Sequence, residues 1–296
     1  MSARPDLATP PTPAKPATPL GGLHAKGLHL AYGAQPVLSN VDFLMQPGQL
    51  GVILGPNGAG KSTLLGVLGG LQAPQSGTVA LGGQYLTPHN TAWHARHRAF
   101  LPQDETPAFN FTAREIVELG RYPHRHHPLP DEAETVRAAM QATAVAHLAS
   151  RRIRTLSGGE RARVQIARAL AQTAGSGLEE TPVPARWLLM DEPTAALDLQ
   201  HQHAVLAMLR RVAHREGVGV LLVLHDLNLA LRYADLVWVV GSGRVLAHGV
   251  PAQVLTPALV AAVWQVQAQA VTDGSGTCQL LWQGTMAACA HAERQL

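Results

Sequence analysis

Cysteine is almost missing from this chain. Cys278 and Cys289 are the only two among 296 residues, so neither a disulfide framework nor a cysteine-rich metal site is available, and a reducing compartment is the fitting environment. Aromatic residues make up 4%, too few for the stacking platform of a single-strand nucleic-acid binder. Charge of one sign is scarce as well. The net formal charge is +3, the basic residues are scattered, and salt screens so small an excess, so no nucleic-acid partner is expected. No apolar run approaches the roughly 20 residues that a membrane span needs, and the N-terminus lacks an apolar signal core. A cytoplasmic chain is the resulting expectation.

What is present is enough apolar content, 46%, for one large or two modest domains with a proper core. Residues 1–22 carry Pro5, Pro10, Pro11, Pro13, Pro16 and Pro19 among Ala, Thr and Ser. Such a stretch buries too little apolar area to offset its ordering entropy and reads as a disordered leader. From Leu23 the pattern changes to short strands at Leu28–Leu30, Val37–Leu44 and Thr78–Leu81, pieces of a β-rich subdomain. Residues from about 89 to 172 have helical spacing and read as a helical insertion. Strand texture returns at Trp187–Met190, Val218–Leu224 and Leu236–Val240 with helix-like stretches between. That alternation predicts an α/β fold with a parallel sheet covered on both faces. Val239–Leu246 reads as a hairpin turning through its glycines. The tail, 251–296, is mixed in pattern. No internal repeat is present.

The stretch Gly55, Pro56, Asn57, Gly58, Ala59, Gly60, Lys61, Ser62, Thr63 fits the pattern G-x-x-x-x-G-K-[S/T]. It follows the apolar run Leu50–Leu54 and opens into Leu64–Leu68, the strand, turn and helix start that make the motif credible. Glycines let backbone N–H groups curl around phosphate oxygens, and the helix start adds unpaired donors. Lys61 would reach the β- and γ-phosphates, and the Ser62 hydroxyl would ligate Mg²⁺.

Two carboxylates, Asp191 and Glu192, end the apolar run Leu188–Met190. Asp191 suits Mg²⁺, and Glu192 suits orienting or deprotonating an attacking water. Leu156-Ser-Gly-Gly-Glu160 precedes a strong helix. Ser157 and Glu160 form an S-x-x-E capping box, while Ser157 with the amides of Gly158 and Gly159 would make a second anion site. Two phosphate cradles on one chain point to two chains sharing nucleotides. Gln103 would bind Mg²⁺ or its water, His225 would contact a γ-phosphate, and Tyr32 would stack on an adenine. Each of these three residue types, standing alone, is more often a surface amide, a structural histidine or a core tyrosine.

In their order and spacing, Tyr32, Gly55–Thr63, Gln103, Leu156–Glu160, Leu188–Glu192, Asp198 and His225 resemble the ATP-binding cassette of ABC transporter ATPases, over about residues 23–250. The resemblance implies a P-loop NTPase (RecA-like) core with a parallel sheet, an antiparallel β subdomain and an inserted helical subdomain. It implies ATP and Mg²⁺ as cofactors, with Lys61, Gln103, Glu192 and His225 in catalysis. Ser62, Gln103 and Asp191 would serve the metal, and Asp198 the second copy's nucleotide. The partners implied are a second copy in a head-to-tail dimer, two copies of a transmembrane permease, and indirectly a periplasmic haem-binding protein. The place implied is the cytoplasmic face of the inner membrane.

Phe109–Thr112 leading into Glu115–Arg121, and Leu224–Ala230 before Tyr233–Asp235, resemble the importers of iron siderophores, vitamin B12 and haem. The insertion Thr173–Arg186 followed by Trp187, and Asp198-Leu-Gln-His201, are most similar to the hemin-importing group. Such an ATPase would drive import through a separate permease. A non-transport ABC clamp acting on DNA or ribosomes usually carries two cassettes or a long coiled coil, and neither is seen here. Glu192 and His225 argue against a non-hydrolysing binding module. Two readings stand for Phe109 and Phe111, a notch for the permease or an anchor for the helical subdomain. His124, His126 and His127 read as a solvated loop or as a haem-binding cluster.

Overall fold

The computed structural model describes residues 21–103, 109–175, 177, 183–274 and 276–285. The leader stretch 1–20, much of the insertion after Thr173, and Cys289 lie outside the described residues. In β1 (Leu23–Tyr32) and β2 (Gln35–Met45), buried residues such as Leu23, Ala25, Val41, Phe43 and Met45 alternate with exposed ones, as a sheet with one covered face requires. They pair antiparallel. After β3 (Leu50–Leu54) and α1 (Lys61–Leu68), β4 (Ser76–Leu81) and β5 (Gln84–Tyr85) complete a four-stranded antiparallel sheet in the order β2-β1-β4-β5. This is the β-rich unit expected on either side of the P-loop.

The next elements are α2 (Thr91–His97), β6 (Arg98–Leu101), α3 (Ala113–Leu119), α4 (Glu132–Ala142) and α5 (Gly158–Thr173). The stretch about 89–172 is thus not helical throughout. Arg98–Leu101 is a strand that pairs parallel with β7 (Trp187–Asp191) at the edge of a second sheet. Four residues are too few to show a period, which is why the strand was invisible in the sequence. The remaining elements of the second layer are α6 (Leu199–Glu216), β8 (Gly219–Val223), α7 (Leu227–Tyr233), β9 (Leu236–Gly241) and β10 (Arg244–Gly249).

The second sheet has the order β10-β9-β3-β8-β7-β6, parallel except for the β9-β10 hairpin. Its central strands are buried on both faces, so their residues divide between two cores. Leu188, Met190, Val220 and Leu222 face one core with α6 and α7, while Trp187, Leu189, Leu221 and Val223 face the other with α1. That division explains why these strands read as unbroken apolar runs. A third core joins α3, α4 and α5. The helix α5 serves two cores, with Val164, Ala167 and Ala171 toward α3 and α4, and Ile166 and Ala169 toward the sheet.

The tail forms α8 (Pro251–Val254), α9 (Pro257–Trp264) and a separate two-stranded antiparallel sheet of β11 (Val266–Thr272) and β12 (Cys278–Thr285). It is fastened to α7 by the Asn228 side chain, which donates to Leu280 O at 3.1 Å and accepts from Leu280 N at 2.8 Å. Leu255, Val260 and Leu280 join the core beneath the six-stranded sheet.

Candidate functional site

The turn from β3 into α1 is shaped by two glycines that no other residue replaces. Gly55 has φ 152° and a Cβ there would lie 2.1 Å from Val240 O; Gly60 has φ 98° and a Cβ there would lie 2.8 Å from Val37 O. Both positions are closed to L side chains by conformation and by contact. Gly60 caps α1 with no side-chain hydrogen bond and no acid in the first turn, leaving the first amides of the helix open. Lys61, 6% exposed, donates from Nζ to Gly55 O at 3.0 Å and Pro56 O at 2.9 Å. Burial pushes its pKa down, and the charges of Glu192 and Asp191 pull it back up. The β9-β10 turn supports the loop from outside, with Gly243 N donating to Ala59 O at 3.3 Å.

At the carboxyl end of β7 the two carboxylates are treated differently. Asp191 is buried beside Ser62, which shares a side-chain hydrogen bond with it, and its Oδ1 has no partner. Burial raises its pKa, Ser62 opposes that, and the neighbouring Glu192 charge adds to it. Glu192 has φ 52°, a left-handed conformation that a non-glycine residue holds only when its surroundings impose it. Its Oε1 lies 2.5 Å from His225 Nε2, and its Oε2 accepts from Gln103 Nε2 at 3.1 Å. Gln103, Glu192 and His225 follow β6, β7 and β8, three neighbours in the sheet. They therefore meet in the crevice at the carboxyl ends of parallel strands, where ligands of such sheets gather.

Together with Asn57, Gly58, Lys61 and Ser62 these three line a cavity of about 500 Å³. Its chemistry suits a polyanion with a hard cation. Lys61 and the α1 amides face negative charge. The Ser62 hydroxyl, the unpartnered Asp191 Oδ1 and the Gln103 amide oxygen are the oxygen donors that Mg²⁺ prefers. Among the described residues no group of three or more His, Cys, Asp or Glu is arranged to hold a metal. Such a set fits an ion whose remaining ligands come from phosphate and water.

The other expected site residues stand apart from this cavity. Tyr32 ends β1, is 57% exposed, and donates its hydroxyl to Gln72 Oε1 at 3.0 Å. Ser157 caps α5: its Oγ accepts from Glu160 N at 3.2 Å and its N donates to Glu160 Oε2 at 2.7 Å. Gly159 packs on the loop before α6, where a Cβ would meet Ala196 O at 3.2 Å. Asp198 caps α6, accepting on Oδ1 from His201 N at 2.8 Å, and that bond holds its carboxyl below the usual range. Gly158 and Gly159 lie against Ala196, two residues before Asp198, and Ser157, Gly158, Gly159 and Asp198 are all absent from the cavity wall.

Two readings change. His124, His126 and His127 do not form a cluster: His124 is 1% exposed with Nε2 on Gln172 O at 2.8 Å, whereas His126 and His127 are exposed. Phe111 packs into the helical core and Phe109 stands 69% exposed beside it. Sequence reasoning missed Gln72 and Gly243, the supports of Tyr32 and of the P-loop. The glycine-flanked hairpin turn was the only signal for the second.

Similarities to known proteins follow the same residues. The profile of the ABC transporter family matches residues 38–195. The chain is 50% identical over 233 residues to the hemin import ATP-binding protein HmuV of Nocardia farcinica, covering 78% of this chain and 77% of that protein. It is 43% identical to the HmuV of Bordetella parapertussis, covering 83% and 93%. Among solved structures it resembles an inward-facing conformation of a putative metal-chelate type ABC transporter, with TM-score 0.71, 25% identity and coverage of 89% and 97%. It also resembles the dimeric structure of MJ0796, a bacterial ABC transporter cassette, with TM-score 0.67, 27% identity and coverage of 77% and 98%.

Proposed function

The chain belongs to the ABC transporter family, and on that premise we propose that it is the ATP-hydrolysing subunit of an importer whose cargo is hemin. The observation that carries the ATPase reading is the convergence of Gln103 and His225 on Glu192 beside Lys61 and Ser62. The cargo rests on the relatives named for hemin import, two of them 50% and 43% identical over most of both chains.

The α1 amides and Lys61 hold the β- and γ-phosphates of ATP, and Tyr32 stacks on the adenine. Ser62, Asp191 and the Gln103 amide oxygen would hold Mg²⁺, which when bound would supply positive charge against the phosphate oxygens. Glu192 takes the proton of the attacking water. In this structure both of its carboxylate oxygens are engaged, one by His225 and one by Gln103. A γ-phosphate that draws His225 to itself frees Oε1, so the base becomes competent when substrate is in place.

Ser157, Gly158, Gly159 and Asp198 complete the nucleotide site of a second copy in a head-to-tail dimer, consistent with their absence from the cavity of their own chain. Loss of the γ-phosphate between the copies reopens the dimer. Two permease subunits carry that movement across the inner membrane, on whose cytoplasmic face the chain sits, and a periplasmic haem-binding protein delivers cargo. No helix among the described residues is long and apolar enough to cross a membrane; in this reading the permease supplies the attachment.

Phosphate release from MgATP by the purified chain tests the ATPase; no release above a Glu192→Gln control would sink it. Reconstitution with the permease tests the cargo. Stimulation by a haem-loaded binding protein, and none by a vitamin B12- or siderophore-loaded one, is the expected result. The reverse pattern moves the cargo to the neighbouring importer group.

A further inference from the structure

On the far side of α1 from the P-loop lies a second cavity, of about 580 Å³. It opens between the C-terminal end of α1, the β4-β5 sheet edge and the start of β6. No carboxylate lines it. Its one formal cation is Arg98, the first residue of β6, whose backbone is pinned by Gln172 Nε2 donating to Arg98 O at 3.1 Å. The guanidinium lies over the end of α1, where a Cβ on Gly70 would stand 3.0 Å from Arg98 Nη1. Its Nε is buried with no hydrogen-bond partner, and among the described residues Arg98 forms no ion pair.

Beside it His94 is 3% exposed, with Nε2 on Tyr85 O at 3.3 Å and Nδ1 unpartnered. The lining also carries apolar Val67, Val79 and Leu86, the last beside Arg98 over Gly70. Desolvation pushes the Arg98 guanidinium below its ordinary pKa, and the Arg98 charge in turn adds to the burial that lowers His94. A half-buried guanidinium with no ion pair is short of an anionic partner. A cavity of this size suits a small ligand whose few polar groups fix its orientation.

We propose that this cavity is a binding site for a small organic anion, a carboxylate or phosphate whose charge pairs with Arg98 and whose apolar part rests on Val67 and Leu86. A guanidinium fork offers two parallel donors to an oxyanion, which a lysine cannot match. The site shares a wall residue with the nucleotide side of the molecule, since Gln72 lines it and accepts the Tyr32 hydroxyl. The assay for it requires no nucleotide.

Isothermal titration of the full chain with citrate and with inorganic pyrophosphate tests the proposal. The P-loop also attracts anions, so the titration is run in the Lys61→Ala chain as well. Saturable binding that persists in Lys61→Ala, weakens about tenfold or more in Arg98→Met and is partly kept in Arg98→Lys is the expected pattern. Thr78→Glu sets a carboxylate on the exposed rim of the same cavity and is expected to weaken binding without loss of thermal stability, which guards against a misfolded Arg98 variant. Equal binding by wild type and Arg98→Met overturns the site. So does an absence of binding of either anion up to millimolar concentration. An absence of binding accompanied by loss of permease co-purification in Arg98→Met overturns it too, and hands the cavity to a protein carboxylate. None of these outcomes bears on ATP hydrolysis, so the ATPase reading stands or falls separately.

Discussion

The helices α1 and α5 both begin at a glycine-rich turn, yet they treat their first amides in opposite ways. Gly60 caps α1 with no side chain to accept a hydrogen bond and no acid in the first turn. Ser157 caps α5 and closes a reciprocal box with Glu160. A helix start offers unpaired donors and a partial positive charge. The first end reserves these for a ligand, and Lys61 adds to them. The second end satisfies two donors internally and keeps only the Gly158 and Gly159 amides for anything outside. The Glu160 carboxylate is held below its usual pKa by the backbone N–H of Ser157, so it carries negative charge at neutral pH. The α5 end is therefore a poor anion site by itself and a self-sufficient helix start, suited to being the second half of a site whose charge is handled elsewhere.

Four substitutions break or sharpen that contrast. The largest effect is expected from Glu192→Gln, which leaves the α1 cradle intact and removes the proposed base. Turnover should fall by roughly 10²–10⁴ with MgATP still bound, and size-exclusion chromatography should find the variant held as a closed dimer. A monomer that hydrolyses at the normal rate would remove Glu192 from the chemistry. Next is Lys61→Ala at the open helix end. Loss of a charge-assisted contact to phosphate should weaken ATP binding by about 10–100-fold, measured by titration.

Ser157→Ala tests the closed end. Losing the cap should cost about 1 kcal/mol, a fall of about 2–4 °C in melting temperature. ATP binding by the single chain should be unchanged and turnover in the dimer reduced. A fall in ATP affinity as large as that of Lys61→Ala would erase the distinction between the two helix starts. The smallest effect is expected from Asp191→Asn. The carboxyl of Asp191 has a raised pKa because it is buried, so the folded chain holds the proton more tightly than the unfolded one. Stability is lost as pH rises from the ordinary carboxylate range through the raised folded value. At pH 7 the folded chain bears that cost, and the amide relieves it. The expected signs are a rise on the order of 1–3 °C in melting temperature at pH 7 without nucleotide, no rise at pH 3, and loss of the extra stabilisation that MgATP gives the wild type.

Several parts of the molecule were legible before folding. The buried strands β3, β7 and β8 announced themselves as apolar runs because both faces of the sheet are covered. The P-loop was legible because its glycines and Lys61 follow such a run at a fixed spacing. The capping box Ser157–Glu160 was legible because both partners sit three residues apart; the one at Thr112–Glu115, with the same spacing, was found only in the structure. Other parts were not. The strand β6 was too short to show a period. The tail was unreadable because β11 is half-exposed to exposed, β12 is mostly exposed, and neither carries a clean alternation. The histidines at 124, 126 and 127 looked like a group, since nearness in sequence says nothing about which side of a short turn faces the core.

The amino-acid sequence by itself determined the local chemistry: which turn admits a phosphate, which helix starts are capped, and which strands lie buried. These are settled by side chains within a few residues of one another. Only the tertiary structure decided that Gln103 and His225, 89 and 33 residues from Glu192, close on its two oxygens. It also decided that Glu192 turns through a positive φ to meet them, that Asp191 is left with an unpartnered oxygen, and that the half-buried Arg98 has no counter-charge among the described residues. Each of those depends on the lateral order of strands in a sheet and on what the packing shuts away from water, and neither is written in the spacing along the chain.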